Sequence, residues 1–217
     1  MPASVAGRAA RLARLRGVYV IVGGADPLYQ ARAAIAGGAG VVQVRIKDRP
    51  SGEVLEVARR VVEVAAGRAL VLVNDRADLA VLAGADGVHV GDEDLPPGEA
   101  RAVVGPDRLL GRTARTLDDA RAAIAAGADH VGFGPVFPSR TKPLGVAPRG
   151  IALLREACAG LGAPVVAISG IALENVAEVA RAGAACAAVI EAAFGGPDPE
   201  ARTRALAAAF EAGERVP

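Results

Sequence analysis

The sequence predicts an α/β fold, a single (β/α)8 TIM barrel with a short N-terminal leading helix, and three observations carry that prediction. A phrase of small residues recurs four times, as GAGVVQV at 38–44, GADGVHV at 84–90, GADHVGF at 127–133 and GAACAAV at 183–189. Its starts are 46, 43 and 56 residues apart, which leaves room for a further strand and two helices in each interval. Four more apolar runs, VYVIV at 18–22, ALVLVN at 69–74, RLLGR at 108–112 and PVVAIS at 164–169, interleave with the phrases to give eight strands. Eight alternating units in 217 residues, without a composition break, suit a closed parallel barrel better than a doubly wound sheet. Residues 1–217 are expected to form one domain, with the barrel from about 17 to 213.

The elements follow in chain order. The opening segment, MPASVAGRAARLARLRG, is Arg-rich and amphipathic; it reads as a short leading helix, shares its composition with transit segments, and lacks the apolar centre of a secretory signal. Helical stretches are expected near 28–37, 51–66, 76–83, 97–104, 117–126, 149–161, 173–182 and 197–213. Each repeated phrase follows an Ala-rich helical stretch, and its first Gly suits a helix C-terminus, where a left-handed residue closes the last turn. The apolar run that follows is short and nearly continuous, as in a parallel strand covered on both faces.

Composition narrows the function. The chain has 25 Lys+Arg against 24 Asp+Glu, and 3% aromatic residues. A net charge of +1 gives no basic footprint for a nucleic-acid backbone, and the few rings offer little for base stacking. Asp, Arg or Gly interrupts every apolar stretch before it reaches membrane-spanning length. Cys158 and Cys186 lie in apolar surroundings without metal or redox spacing, which fits a reducing, cytoplasmic setting. The basic inventory contains only two lysines, Lys47 and Lys142, and Asn, Gln and His also occur twice each. A chain this biased towards Arg and Ala marks the places where it keeps another polar side chain.

In a barrel of this kind the ligand site lies beyond the C-terminal ends of the strands. The second strand runs out through Gln43, Arg45 and Lys47, which alternation places on one face. The third ends in Asn74-Asp75, and the fourth leads through His89 to Asp94. Asp75 and Asp94 follow neighbouring strands, so two hard oxygen donors can converge beside several cations, an arrangement suited to Mg²⁺ shared with a phosphorylated substrate. Asp75 can equally cap the helix that follows it. Ser139, Thr141 and Lys142 form a polar loop after the sixth strand that can hold a second anion, and Ser169-Gly170-Ile171 with Ile190 and Glu191 ends the seventh and eighth strands, where barrels commonly bind phosphate. His89 reads as a packed interior histidine, since no acid or nucleophile can be paired with it.

The phrases QVRIK, VNDRADLA, GADGVHVGDEDL, ADHVGFGPVFPSRTK and PVVAISGI occur in this order, and the chain from about 17 to 210 resembles the thiamine-phosphate synthase family. The resemblance implies a Mg²⁺-dependent transferase of thiamine biosynthesis that joins a pyrimidine methyl diphosphate to a thiazole phosphate, the carboxylated form included, and releases pyrophosphate through a dissociative carbocation mechanism. Carried over by position, it implies that Gln43, Arg45 and Lys47 hold the pyrimidine diphosphate near Asn74, that Asp75 and Asp94 ligate the metal, and that Thr141 and Lys142 contact both substrates. Gly170 and Ile190 correspond to the thiazole-phosphate cradle. Lys47, Lys142 and Thr113 are the expected catalytic groups, Thr113 keeping the hydroxyl of the family's usual Ser. The chain departs from the family at Arg115, Ser169 and Glu191, and a carboxylate beside a bound phosphate is repulsive by roughly 4 kcal/mol at about 4 Å and an effective dielectric near 20. A thiazole tautomerase-like paralogue and a non-catalytic barrel that binds thiamine precursors are the rival readings, and a homo-oligomer stays open.

Overall fold

The computed structural model describes residues 7–138 and 147–215. After a leading helix, α1 (Arg8–Leu12), come eight strands: β1 (Gly17–Val22), β2 (Val41–Val44), β3 (Leu70–Asn74), β4 (Gly87–Val90), β5 (Leu109–Ala114), β6 (His130–Phe133), β7 (Val165–Ala167) and β8 (Cys186–Val189). Every pairing is parallel, and β8 pairs with β1, so the sheet closes as the sequence predicts. The connections carry α2 (Pro27–Ala36), α3 (Ser51–Ala65), α4 (Ala77–Leu82), α5 (Pro97–Val104), α6 (Leu117–Ala125), α7 (Gly150–Gly160) and α8 (Val176–Arg181); α9 (Glu191–Phe194) and α10 (Pro199–Glu214) follow β8.

Two helices near the C-terminal end differ from expectation for local reasons. The helix expected from 173 starts at Val176, because the Asn175 side chain accepts a hydrogen bond from Ala172 N at 2.8 Å and shapes a turn there. The four residues of α9 are too few to show a period in the sequence.

The repeated phrase has a physical explanation. Gly38, Gly84, Gly127 and Gly183 have φ of 91°, 70°, 102° and 91°. The Ala after each sends its N–H back five residues, to the carbonyls of Ala34, Ala80, Ala123 and Val179, at 3.0, 3.0, 3.0 and 3.4 Å. This closure satisfies helix carbonyls that otherwise lack partners and turns the chain into the next strand. Two phrases add an Asp. Asp86 accepts from Val71 N at 2.9 Å and from Arg11 Nε at 3.0 Å; Asp129 accepts from Leu110 N at 2.8 Å and from Arg101 Nη2 at 2.5 Å. Each carboxylate thereby holds the start of the preceding strand.

Side-chain alternation then divides the core. Val18, Val20, Val71, Val73, Val88 and Val131 face outward, where helices such as α3, α4 and α10 cover them. Tyr19, Val41, Leu70, Leu72, Leu109, Val166 and Cys186 face inward and fill the barrel. Leu12 and Leu15, at and just after α1, join this inner cluster at the N-terminal ends of the strands, so the leading helix seals that end. Leu70, Leu72 and Leu109 are fully buried, each worth about 1.5–3 kcal/mol relative to exposure. Higher in the barrel His89 and His130 lie with ring centroids 5.8 Å apart. Burial holds both far below the usual imidazole range, His89 at about 4 with Arg112 adding to the effect, and His130 at about 3 with His89 adding to it.

Asp129→Ala should lower the unfolding free energy by about 2–4 kcal/mol in chemical denaturation, because it strands a buried amide and a mostly buried guanidinium. Asp118→Ala, at the exposed Arg121–Asp118 pair, should leave the midpoint unchanged and so act as the control. The histidine pair sets a pH dependence as well. Below the unfolded-state value near 6.5 the unfolded chain binds protons that the folded barrel refuses, so stability falls with pH from about 6.5 towards 4. Each histidine should contribute a loss of about 2 kcal/mol by pH ~5. Denaturant titrations of the parent and of His130→Asn should show a shallower slope in the variant.

Candidate active site

At the C-terminal end of the barrel, β3 ends in Asn74 and the chain turns sharply at Asp75. Asp75 has φ of 64°, its N–H donates to His89 O at 2.8 Å, and Arg76 N bonds back to Asn74 O at 2.7 Å. A left-handed aspartate costs roughly 1–2 kcal/mol, and the two bonds hold it there. The expected helix cap is not formed by Asp75: the residue before α4 is Arg76, with no side-chain cap. Instead Asp75 faces Lys47, whose Nζ lies 3.3 Å from Asp75 Oδ2, and Asp94. Desolvation raises the Asp75 pKa first, and the neighbouring Asp94 carboxylate raises it further; Lys47 opposes both. Asp94 itself is anchored by Gly91 N, which donates to its Oδ2 at 2.7 Å.

These two carboxylates fit a divalent cation. They converge, one on a strained turn and one on an anchored loop, and their mutual proximity is unfavourable without a positive charge between them. Among the described residues no cluster of three or more His, Cys, Asp or Glu exists.

The second strand delivers its polar residues at different depths. Gln43 is buried and donates through Nε2 to Tyr19 Oη at 2.7 Å, inside the barrel, where burial pushes the tyrosine pKa upward. Arg45 and Lys47 lie beyond the end of β2 and are exposed. Sequence alternation could not reveal Tyr19 as the partner, since it sits on the preceding strand. Arg45 lines a separate cavity of about 960 Å3, between the ends of β7, β8 and β1 and the first turns of α10. Ile21, Ser169, Gly170, Ile190 and Glu191 also line it, and its walls are mostly apolar. The mouth of the barrel is thus divided, with carboxylates and Lys47 over β3 and β4, an apolar cavity over β7 and β8, and Arg45 on the cavity side of Lys47.

The positions that depart from the resemblance have specific environments. Arg115 is paired with Asp92, which also takes Arg112 Nη1 at 2.9 Å, so its guanidinium is held between the β4 and β5 loops. Thr113 Oγ1 lies 3.0 Å from His89 Nε2. Ser169 has φ of 75° and a buried hydroxyl without a hydrogen-bond partner among the described residues. Gly170 follows at φ of 69°, and a side chain there would strike Phe137 and Pro138. Asn175 Nδ2 donates to Gly170 O at 3.1 Å and so braces this loop, a role that its rarity in the sequence hints at without specifying. The Glu191 carboxylate folds along α9 towards Gly195. Arg202, on α10 and missed from the sequence, donates through Nε to Ala192 O at 3.0 Å and lines the same cavity. Ser139, Thr141 and Lys142 lie outside the described residues. Cys186 is buried and Cys158 half-buried; both are free thiols with pKa raised by burial, Cys158 to about 11. No helix among the described residues is long and apolar enough to cross a membrane.

Comparison with known proteins places this arrangement. Residues 18–193 match the family model described as thiamine monophosphate synthase. The thiamine-phosphate synthase of Anaeromyxobacter dehalogenans is 67% identical over 214 residues, 98% of this chain and 96% of the relative. That of Myxococcus xanthus is 50% identical over 82% of this chain and 83% of its own. Among solved structures, thiamine phosphate pyrophosphorylase from Pyrococcus furiosus superposes with a TM-score of 0.84 at 32% identity, covering 93% of this chain and 98% of the other. A 3-hexulose-6-phosphate synthase, at 20% identity and a TM-score of 0.65, shares the barrel alone. The chain belongs to the thiamine monophosphate synthase family.

Proposed function

We propose that this protein joins an aminopyrimidine methyl diphosphate to a thiazole phosphate, or to its carboxylated form with loss of carbon dioxide, to make thiamine monophosphate and pyrophosphate in the cytoplasm. The observation that supports this reading most directly is the divided barrel mouth: a charged half suited to a diphosphate adjoins an apolar cavity suited to an aromatic heterocycle. Residues 1–217 serve as one domain, and nothing in the proposal requires another protein or a nucleic acid.

Asp75 and Asp94 would hold Mg²⁺, which when bound supplies charge neutralisation for the diphosphate leaving group. Lys47 and Arg45 bind the same anion, with Asn74 at its edge, Thr113 offering a hydroxyl, and Lys142, Ser139 and Thr141 as further contacts that the family resemblance implies. Their stabilisation is largest as negative charge builds on the departing oxygen. The methylene carbon–oxygen bond breaks with its electron pair leaving on pyrophosphate, and the thiazole nitrogen lone pair then forms the new carbon–nitrogen bond to the pyrimidine cation. Gln43, fixed by Tyr19, presents its remaining carboxamide oxygen from the barrel wall. In the cavity, backbone at Gly170 and Ile190 cradles the thiazole phosphate, and Arg202 adds a cation that offsets Glu191.

Purified protein given Mg²⁺ and both substrates should release stoichiometric pyrophosphate; its absence overturns the reading. Asp75→Ala should reduce turnover by on the order of a hundredfold. Lys47→Arg and Lys142→Arg should each lower kcat despite conserving charge, since a planar fork cannot follow a compact ammonium's path, and unimpaired kinetics in both would remove that role. Glu191→Ser should lower the KM for thiazole phosphate in steady-state kinetics, whereas a raised KM would show that the carboxylate aids binding.

A further inference from the structure

Beneath the charged half of the mouth, β4, β5 and β6 carry a polar group that the proposed reaction does not use. His89 and His130 point into the barrel from β4 and β6, and Gly111 of β5 lies between them. A β-carbon at Gly111 would lie 2.5 Å from His89 Nδ1 and collide with His130 Nε2. Those two nitrogens therefore face one spot, at most twice that distance apart, with no hydrogen bond between them. His89 Nδ1 and both His130 nitrogens have no hydrogen-bond partner among the described residues, while His89 Nε2 meets Thr113 Oγ1 at 3.0 Å.

Neutral imidazole carries one N–H and one acceptor nitrogen, so the 3.0 Å contact has two forms. If Nδ1 carried the proton, a buried N–H would face the unpartnered His130, and the Thr113 hydroxyl would spend its hydrogen on Nε2. If Nε2 carries it, the buried nitrogen left over is an acceptor, cheaper to leave unsatisfied than a donor. We propose that His89, in its Nε2–H tautomer, is a positioning residue that donates to Thr113 Oγ1 and leaves the threonine hydroxyl hydrogen for the anionic substrate. This rests on the synthase reading only for the identity of that anion. Gly111 and Gly132, the latter with His89 Cε1 at 3.0 Å from where its β-carbon would be, leave the rings the room they need.

The first measurement is nitrogen-15 NMR of the histidine rings in the unliganded parent protein at neutral pH. It should show His89 protonated at Nε2 and bare at Nδ1; the reverse tautomer overturns the proposal whether or not pyrophosphate release is observed. The second is kinetic. His89→Phe should lower kcat by about five- to tenfold with KM little changed, and His89→Gln, which restores a donor near the Nε2 position, should recover most of the loss. In a Thr113→Val background His89→Phe should add no further loss. An equal loss in that background would show that the histidine only packs the barrel, and the proposal would fall while the synthase activity stood.

Discussion

A parallel barrel has to end each helix and begin the next strand within a few residues, and this requirement organises the molecule. Four of its seven crossings meet the requirement with a left-handed Gly and an Ala amide folded back on the helix, at Gly38, Gly84, Gly127 and Gly183. Because the closure is backbone chemistry, the intervening side chains remain free to build an Ala- and Val-rich core. The polar supplement is small. Asp86 and Asp129 tie strand starts together and also gather Arg11 and Arg101, so one carboxylate type does two jobs at the stable end of the barrel.

The same economy leaves the opposite end free to carry less comfortable arrangements. Asp75 and Ser169 are both non-glycine residues with positive φ, and both lie just past strand ends at the mouth. Asp75 is additionally held beside another carboxylate, and the Ser169 hydroxyl is buried without a partner among the described residues. Two of the three non-glycine residues with positive φ among the described residues thus lie at the mouth, and the third, Ala66, ends α3 at the opposite pole. A ligand that brings positive charge to Asp75 and Asp94 relieves the repulsion between them on binding.

The fold was legible in the sequence because its two signals, the repeated Gly-Ala phrase and short apolar runs, express a backbone requirement and burial on both faces. Thus all eight strands were located, and β5 merely extends past the expected end to Ala114. The short α9 and the start of α8 were not legible, since a four-residue turn has no period and an Asn side chain decided the other. At the site, Asp75, Asp94 and Lys47 come together as their places after adjacent strands suggest. The Gln43–Tyr19 bond, the Arg115–Asp92 pair and Arg202 beside the cavity depend on how separate strands, loops and helices meet, which spacing along one chain does not encode.

The leading helix gives the molecule a stopper. Leu12 and Leu15 plug the floor of the barrel, and Arg11 and Arg14 reach Asp107 O at 2.9 Å and Gly67 O at 2.7 Å around its rim. The seal and the ligand mouth are therefore on opposite poles. A fusion partner or affinity handle joined ahead of Gly7 emerges at the plugged pole, away from the cavity, while trimming through Leu15 would unplug the floor and let water reach the underside of Tyr19 and Leu109.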